Sequence, residues 1–172
     1  RRTGRTRVRC STLVAKGILS SSSWLVRRNY WCSDARVQWG YTRWGKNNQA
    51  VPCTAQNCLK VRVDRDGARR TFTEVSRVRP GGGTDANIWA TIAEQYYNHA
   101  SDSPIDKNSP CQGSYVIVIG DGAMSNVNAA KKKVTNLLNQ KKVKTFTVAY
   151  GGGIGASGIR KFDEIAKLGG TD

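Results

Sequence analysis

The sequence predicts a three-layer α/β fold around a mostly parallel sheet. In its second half, apolar strands alternate with amphipathic helices across short connections, which is the pattern of such folds. The uninterrupted apolar run from Tyr115 to Ile119 is typical of a central parallel strand, so we expect helices to cover both of its faces. With 172 residues the chain is long enough to bury its own core, and we predict one domain over residues 1–172.

The first half is predicted to contain two helices and an antiparallel pair of strands. Apolar side chains recur at helical spacing over residues 5–19, and they alternate with polar side chains over residues 36–43 and 59–63. A loop joins the two alternating segments, which favours an antiparallel ribbon. Apolar residues three positions apart predict a short helix over residues 71–78.

The second half is predicted to alternate between helix and strand. Apolar stripes at helical spacing and continuous apolar runs indicate a helix over 85–99, a strand over 115–119, a helix over 125–139, a strand over 143–150 and a helix over 157–168. The glycine-rich segment 151–155 is predicted to be a loop. Ligands bind such sheets where loops leave the carboxyl ends of the strands, and Asp121 follows one such end.

Two loops carry oxygen ligands that suit a hard cation. Thr84 and Asp85 follow Gly81–Gly83 and precede a helix, and Asp121 follows an apolar strand. Hydroxyl and carboxylate oxygens without a nearby His or Cys favour Mg²⁺ or Ca²⁺. We therefore expect Thr84 and Asp121, with Asp85 beside them, to meet at one rim of the sheet. The alternative is that the first loop only caps a helix and the second only forms a turn.

The formal net charge of +16 predicts an attraction to polyanions. Arg27 and Arg28 belong to an arginine-rich first part, and Lys131, Lys132 and Lys133 form a second basic run. The positive field of these residues would favour the binding of nucleic acid, acidic glycan or anionic lipid. The alternative is a solvated helix face together with a basic arm that packs on an acidic neighbouring domain.

Five cysteines are many for a domain of this size and favour disulfide bonds in an oxidising compartment. Cys53 and Cys58 enclose a short polar loop that a bridge would close. Cys32 and Cys111 each precede a predicted strand, so both could lie at the same end of a parallel sheet. Cys10 is either a free thiol or paired with chain outside these residues. The sequence has no C-x-x-C, which argues against a thiolate metal site.

The sequence does not support catalysis or membrane insertion. His99 is the only histidine, and no set of nucleophile and base accompanies it. The glycine-rich loop 151–155 lacks the Lys-Ser or Lys-Thr of a phosphate-binding loop. No apolar run has the length needed to span a bilayer. We therefore predict a non-enzymatic protein without a membrane span.

Four features together resemble a von Willebrand factor A domain over nearly the whole chain. They are the order of the elements, the Gly81–Asp85 loop, the apolar strand ending in Gly120–Gly122, and the segment Val143–Gly151 before a final helix and Leu168–Gly170. More narrowly, Ser103–Gln112 looks like the corresponding part of the PilC/PilY-type adhesins, which lie at the tips of type IV pili.

The resemblance implies a fold and a cation site. The fold is a three-layer α/β/α arrangement whose mostly parallel sheet has one antiparallel strand. Thr84 matches the threonine of the loop before the third helix, and Asp121 matches the aspartate at the end of the fourth strand. The family's principal ligands come from an Asp-x-Ser-x-Ser loop after the first strand. This chain has no such loop, so either the first strand and the remaining ligands lie upstream of Arg1 or the site has been dismantled.

The resemblance also implies that residues 1–172 are part of a longer chain and incomplete at both ends. The first strand of the family's sheet, which lies in its middle, and the last strand have no counterpart here. Buried strand edges need hydrogen-bond partners. We therefore expect the central gap to be filled by chain outside these residues, from the same polypeptide or from a partner.

The implied function is that of an adhesion or assembly module of an extracellular filament, the tip adhesin of a type IV pilus. It would be exported to the bacterial cell surface and contact minor pilins, the rest of its own chain, or a host or surface ligand. The protein interface would lie near the divalent-cation site. The alternative function, from charge alone, is a basic module that binds nucleic acid or acidic glycan.

Overall fold

The computed structural model describes residues 37–44, 59–77, 83–108 and 112–171. The described residues from Gln38 onwards belong to one compact unit. Their elements, in chain order, are β1 Trp39–Thr42, β2 Leu59–Asp64, α1 Gly67–Val75, α2 Ala86–Asn98, β3 Ser114–Gly120, α3 Val127–Lys141, β4 Val143–Ala149 and α4 Gly155–Leu168. The structure is mixed α/β. One domain over residues 1–172 stays a prediction, because residues 1–36 lie outside the described residues.

The described strands form two separate two-stranded sheets. β1 and β2 are antiparallel, as the alternating pattern predicts, with Trp39 opposite Asp64 and an irregular register. β3 and β4 are parallel and in register from the Ser114–Val143 pair to the Gly120–Ala149 pair. One continuous, mostly parallel sheet is not formed within the described ranges, because no described strand pairs with both β2 and β3.

Helix α1 begins four residues earlier than the helical spacing predicts. A Cβ atom built on Gly67 would lie 1.7 Å from the carbonyl oxygen of Trp39, so the absence of a side chain lets the helix start against β1. Phe72, which the pattern places inward, is 45% exposed. The start of this helix is therefore set by its packing on β1, which the spacing of apolar residues does not report.

Helix α2 packs on both sheets. Ile92 and Tyr96 are buried in a cluster with residues of β2. The Tyr96 hydroxyl oxygen accepts a hydrogen bond from the Val63 N–H at 2.9 Å, and the Tyr97 hydroxyl donates to the Tyr115 carbonyl oxygen at 3.0 Å. Consecutive tyrosines of one helix thus bond to the backbone of one strand in each sheet.

The main core lies between the parallel strands and helices α2, α3 and α4. Its buried residues include Trp89 and Ala90 from α2, Val118 from β3, Val134 from α3, and Phe162 and Ile165 from α4. A neighbouring cluster joins Tyr97, Leu137 and Val143. This burial of apolar surface is the main stabilising contribution to the described unit, and it involves one face of the sheet.

The opposite face of β3 and β4 is exposed. Tyr115, Ile117, Ile119, Phe146 and Val148 are between 42% and 59% exposed. The register pairs Ile117 with Phe146 and Ile119 with Val148, so these side chains lie side by side on one face, which we call the open face. Among the described helices, α2, α3 and α4 pack against the other side chains of the strands. The expectation that helices cover both faces of this strand stays a prediction, because the predicted helix over residues 5–19 lies outside the described residues.

Candidate cation site

The loop before α2 and the loop after β3 are joined by backbone hydrogen bonds. The Ser125 N–H donates to the Thr84 carbonyl oxygen at 2.9 Å, and the Ala86 N–H donates to the Ser125 carbonyl oxygen at 3.0 Å. Asp85 and Ser125 thereby form an isolated parallel bridge. This bridge holds the two loops together at the carboxyl end of β3, where the sequence predicts that they meet.

The Thr84 side chain lies against the residue that follows Asp121. A Cβ atom built on Gly122 would be 2.7 Å from Thr84 Oγ1. Asp121 is exposed at the end of β3, and Thr84 is half-buried. The hydroxyl group and the Asp121–Gly122 backbone are therefore neighbours on one rim of the parallel sheet.

Asp85 is the N-cap of α2. Its Oδ1 atom accepts from the Asn87 N–H at 2.9 Å, and its Oδ2 atom accepts from the Asn126 side-chain amide at 2.7 Å. The capping alternative is thus confirmed for this residue. Because both carboxylate oxygens bond to the protein, Asp85 positions the two loops, and its role as a cation ligand stays a prediction.

The loop after β3 is attached to the main core and to helix α4. Met124 is 1% exposed and belongs to the main core. The Lys161 ammonium group donates to the Met124 carbonyl oxygen at 2.9 Å. Asn126 then adopts a left-handed backbone conformation, with a φ angle of 52°, at the start of α3. These contacts fix the backbone on which Asp121 is carried.

The donor set fits a hard cation but is small. Thr84 supplies a hydroxyl oxygen and Asp121 a carboxylate, which are ligand types of Mg²⁺ and Ca²⁺. Within the described ranges, no group of three or more His, Cys, Asp and Glu side chains is arranged to hold a metal ion. Two side-chain ligands are fewer than the about six that these ions take. Further ligands or water would therefore be needed to complete a site on this rim.

Part of the second basic run is engaged in ion pairs. Lys131 lies 2.5 Å from a Glu164 carboxylate oxygen, and Lys133 lies 4.0 Å from one of Glu94. The hydrogen bond and the charge of Lys131 lower the pKa of Glu164. Lys132, between them, is exposed. Two of the three lysines are thus already paired with acids on neighbouring helices, which weakens this run as a polyanion site.

Several predicted site residues lie outside the described residues. They are the basic pair Arg27 and Arg28 and the four cysteines Cys32, Cys53, Cys58 and Cys111. The disulfide pairings therefore stay predictions.

Ser125 and Asn126 are partners of Thr84 and Asp85 that the sequence does not predict. These pairs are separated by 41 residues, so no local pattern connects them. The one local signal was an Asn directly before an amphipathic helix, which is a preferred N-cap residue. The Asn126 side chain bonds instead to Asp85.

Comparison with known proteins finds no matching family model, no matching curated protein and no matching solved structure. In the part of the chain that the structure describes, no helix has both the length and the apolar character needed to cross a bilayer.

Proposed function

We propose that this chain is a von Willebrand factor A-like module of an extracellular filament, the tip adhesin of a type IV pilus. It acts in adhesion or assembly, without catalysis, through a protein interface beside a divalent-cation site. The observation that carries the proposal is the position of the Thr84 hydroxyl beside Gly122, the residue that follows Asp121. A hydroxyl from one loop and a carboxylate from another are the parts that a cation-dependent adhesion site requires.

The architecture supports this proposal. The two loops meet at the carboxyl end of a parallel strand, where α/β sheets bind their ligands. Mg²⁺ or Ca²⁺ would be held by Thr84 and Asp121, with the remaining ligands from chain upstream of Arg1. When bound, the cation would offer an open coordination position to a carboxylate of the partner. The chain's own residues orient these two ligands through the bridge between Asp85 and Ser125.

We also propose where the module acts and which proteins it contacts. The module is exported to the bacterial cell surface, where disulfide bonds among Cys32, Cys53, Cys58 and Cys111 are stable. Its partners are minor pilins, the rest of its own longer chain, and a host or surface ligand.

Co-sedimentation with sheared type IV pili tests the proposal, with a chain that also contains the segment upstream of Arg1 from which the remaining cation ligands are expected. We expect the chain to pellet with pili in Mg²⁺ or Ca²⁺ and to stay in the supernatant in EDTA. Thr84→Ala and Asp121→Ala should abolish the cation-dependent fraction, because each removes one ligand. Asp163→Ala, which removes an exposed carboxylate from α4, is the matched control and should pellet normally. Pelleting that ignores both EDTA and the two variants would contradict the proposal.

The net charge of +16 favours a second candidate, a polyanion-binding module. Lys132, Lys141, Lys142 and Lys144 are exposed on α3 and the start of β4. Binding to nucleic acid or acidic glycan would fall steeply with salt and would not respond to EDTA. A salt titration of the same pelleting assay, with heparin as competitor, therefore separates the two functions.

A further inference from the structure

We infer that the Asp121–Gly122 pair is a site of spontaneous covalent modification, at which Asp121 converts to isoaspartate through a cyclic imide. The chain contains two Asp-Gly pairs, Asp121–Gly122 and Asp66–Gly67. The structure leaves the first pair able to react and protects the second. The inference goes beyond the proposed function, because it concerns a reaction of the chain with itself and with water.

The reaction takes place between two adjacent residues and needs no other group. The Gly122 nitrogen forms a bond to the side-chain carboxyl carbon of Asp121, and the amide proton leaves with the carboxyl OH group as water. Water then adds to one of the two carbonyl carbons of the imide and breaks the bond from that carbon to the nitrogen. One product is aspartate again. The other is isoaspartate, in which the main chain runs through the former side chain.

Glycine after the aspartate favours ring closure, because it has no side chain next to the attacking nitrogen and its backbone adopts many conformations. Both pairs share this property, so their intrinsic rates should be similar. Any large difference between them in the folded chain must therefore come from the structure around each pair.

Asp121 lies in a bend beyond the end of the parallel ladder. β3 ends at Gly120, whose carbonyl oxygen accepts a hydrogen bond from the Tyr150 N–H at 2.8 Å. The next fixed residue is Met124, which is buried in the main core. Asp121 is exposed, and residues 121–123 belong to no helix or strand. Ring closure in this bend therefore leaves the β3–β4 pairs and the core in place.

Asp66 is held in a conformation that opposes the same ring closure. The five-membered ring requires the aspartate Cβ atom and the glycine nitrogen on the same side of the Cα–C bond, and the ψ angle of 0° at Asp66 keeps them apart. Rotation about this bond would also move the Asp66 carbonyl oxygen, which accepts from the Arg70 N–H at 3.2 Å in the first turn of α1. The reaction at Asp66 therefore requires local opening of the helix.

The packing of the two glycines gives the same order of reactivity. Gly67 is buried, and a Cβ atom built on it would overlap the backbone carbonyl group of Trp39. A Cβ atom built on Gly122 would meet Thr84 Oγ1, which is the end of a side chain. Movement of Gly67 therefore displaces the backbone of β1, whereas movement of Gly122 displaces one hydroxyl group.

Isoaspartate at position 121 would alter the rim of the parallel sheet. The main chain between Gly120 and Gly122 gains a methylene group, and the free carboxylate is then attached directly to the Cα atom. The carboxylate thus leaves the place from which it would share a cation with Thr84. This consequence rests on the proposed function, whereas the reaction itself does not.

Peptide mapping of the aged chain tests the inference. The purified chain is incubated in EDTA at neutral pH for several weeks, reduced and digested with trypsin, which releases the two pairs in peptides 66–69 and 108–131. Liquid chromatography with fragmentation that distinguishes isoaspartate from aspartate gives the rate at each site. We expect isoaspartate to form at least about tenfold faster at Asp121 than at Asp66 in the folded chain, and at similar rates in urea.

A pair of asparagine variants provides a second measurement. Asp121→Asn should lose its amide as ammonia by the same route, which changes the mass of peptide 108–131 and is read without fragmentation. Asp66→Asn is the matched control, because it places the same Asn-Gly pair at the start of α1, and it should keep its amide at least about tenfold longer.

Three results would overturn the inference: no isoaspartate at Asp121, equal rates at the two sites in the folded chain, or a rate ratio that urea does not change. The measurement needs neither pili nor cations, so its outcome is separate from that of the co-sedimentation assay. Isoaspartate at Asp121 without cation-dependent pelleting of the fresh chain would contradict only the proposed function.

Discussion

The hydroxyl group of Thr84 occupies the space next to Gly122 that a side chain at that position would need. The distance from Thr84 Oγ1 to a Cβ atom built on Gly122 is 2.7 Å, shorter than real Cβ contacts. A side chain at residue 122 would therefore displace the hydroxyl group of Thr84, which is one of the two candidate cation ligands.

The first prediction follows from this contact. Gly122→Ala should push the Thr84 hydroxyl away from the rim and weaken binding of Mg²⁺ or Ca²⁺ about tenfold. The free energy of unfolding should fall by no more than about 1 kcal/mol, because only the end of one side chain has to move. Isothermal titration calorimetry measures the affinity on the longer chain used for co-sedimentation, and urea unfolding measures the stability.

Gly153→Ala is the control for this variant. A Cβ atom at Gly153 would meet no atom within 4 Å, so both affinity and stability should stay as in the original chain. An unchanged affinity in Gly122→Ala would mean that the Thr84 hydroxyl is not a ligand.

The second prediction concerns the N-cap of α2. Asp85→Ala removes the acceptor for the Asn87 N–H and for the Asn126 amide, and should lower the free energy of unfolding by about 1–2 kcal/mol. Asn126→Gly, which tolerates the left-handed backbone at this position, should cost less, since it removes one of these two bonds. A double-mutant cycle should show a coupling of at least about 0.5 kcal/mol between the two positions. Additive effects of the two substitutions would show that the contact contributes nothing to stability.

The third prediction is an alkaline loss of stability that depends on Tyr97. Burial, with a smaller effect of Tyr96, raises the pKa of Tyr97 to about 12. Below the ordinary value of 10.0, the folded and unfolded states are both protonated and the full stability is present. Between that pH and about 12, the unfolded state releases the proton first, so stability falls as the pH rises, by about 2–3 kcal/mol in total.

Urea unfolding between pH 9 and the alkaline limit of folding measures this loss. Tyr97→Phe should remove this part of the pH dependence and lower the stability at neutral pH by about 1 kcal/mol, because the Tyr115 carbonyl oxygen loses its donor. Tyr115→Phe alters an exposed phenol and should keep the alkaline loss. An identical pH profile in Tyr97→Phe would rule out this source.

The fourth prediction concerns the packing of the chain after α4. A Cβ atom at Gly169 would lie 2.6 Å from the Thr145 Cβ atom and 2.8 Å from its carbonyl oxygen. Gly169→Ala should therefore lower the melting temperature and cost about 1–3 kcal/mol. Gly152→Ala, where a Cβ atom meets nothing within 4 Å, should be neutral. Equal melting temperatures for the two variants would contradict the close packing of Gly169 on β4.

Helices α2, α3 and α4 and strands β2, β3 and β4 could be predicted from the sequence within about three residues at their ends. The helices are recognisable because the side of each that packs on a core carries apolar residues at helical spacing, and β3 is recognisable because its apolar run is uninterrupted. The start of α1 could not be predicted, because it depends on the contact of Gly67 with the Trp39 carbonyl across space. Likewise, Tyr115, Ile117 and Ile119 indicate a strand, but apolar residues do not report whether a second layer is present.

The proximity of the two loops was predictable, and the hydrogen bonds that join them were not. Thr84 and Asp121 are brought to one rim because parallel strands and the loops at their carboxyl ends share an edge. The hydrogen bond between Asp85 and Asn126 was not predictable, because the two residues are 41 positions apart in the sequence. Aspartate is common both at helix N-caps and among the ligands of Mg²⁺ and Ca²⁺, so the sequence left both roles open for Asp85.

The hydroxyl groups of Tyr96 and Tyr97 link the two sheets through helix α2. The Tyr96 hydroxyl accepts a hydrogen bond from the Val63 N–H of β2, and the Tyr97 hydroxyl donates one to the Tyr115 carbonyl oxygen of β3. We expect a force applied to β1 and β2 to reach β3 and β4 through these two consecutive residues of α2. A force that separates the two sheets would therefore act on α2, whose first residue is capped by Asp85.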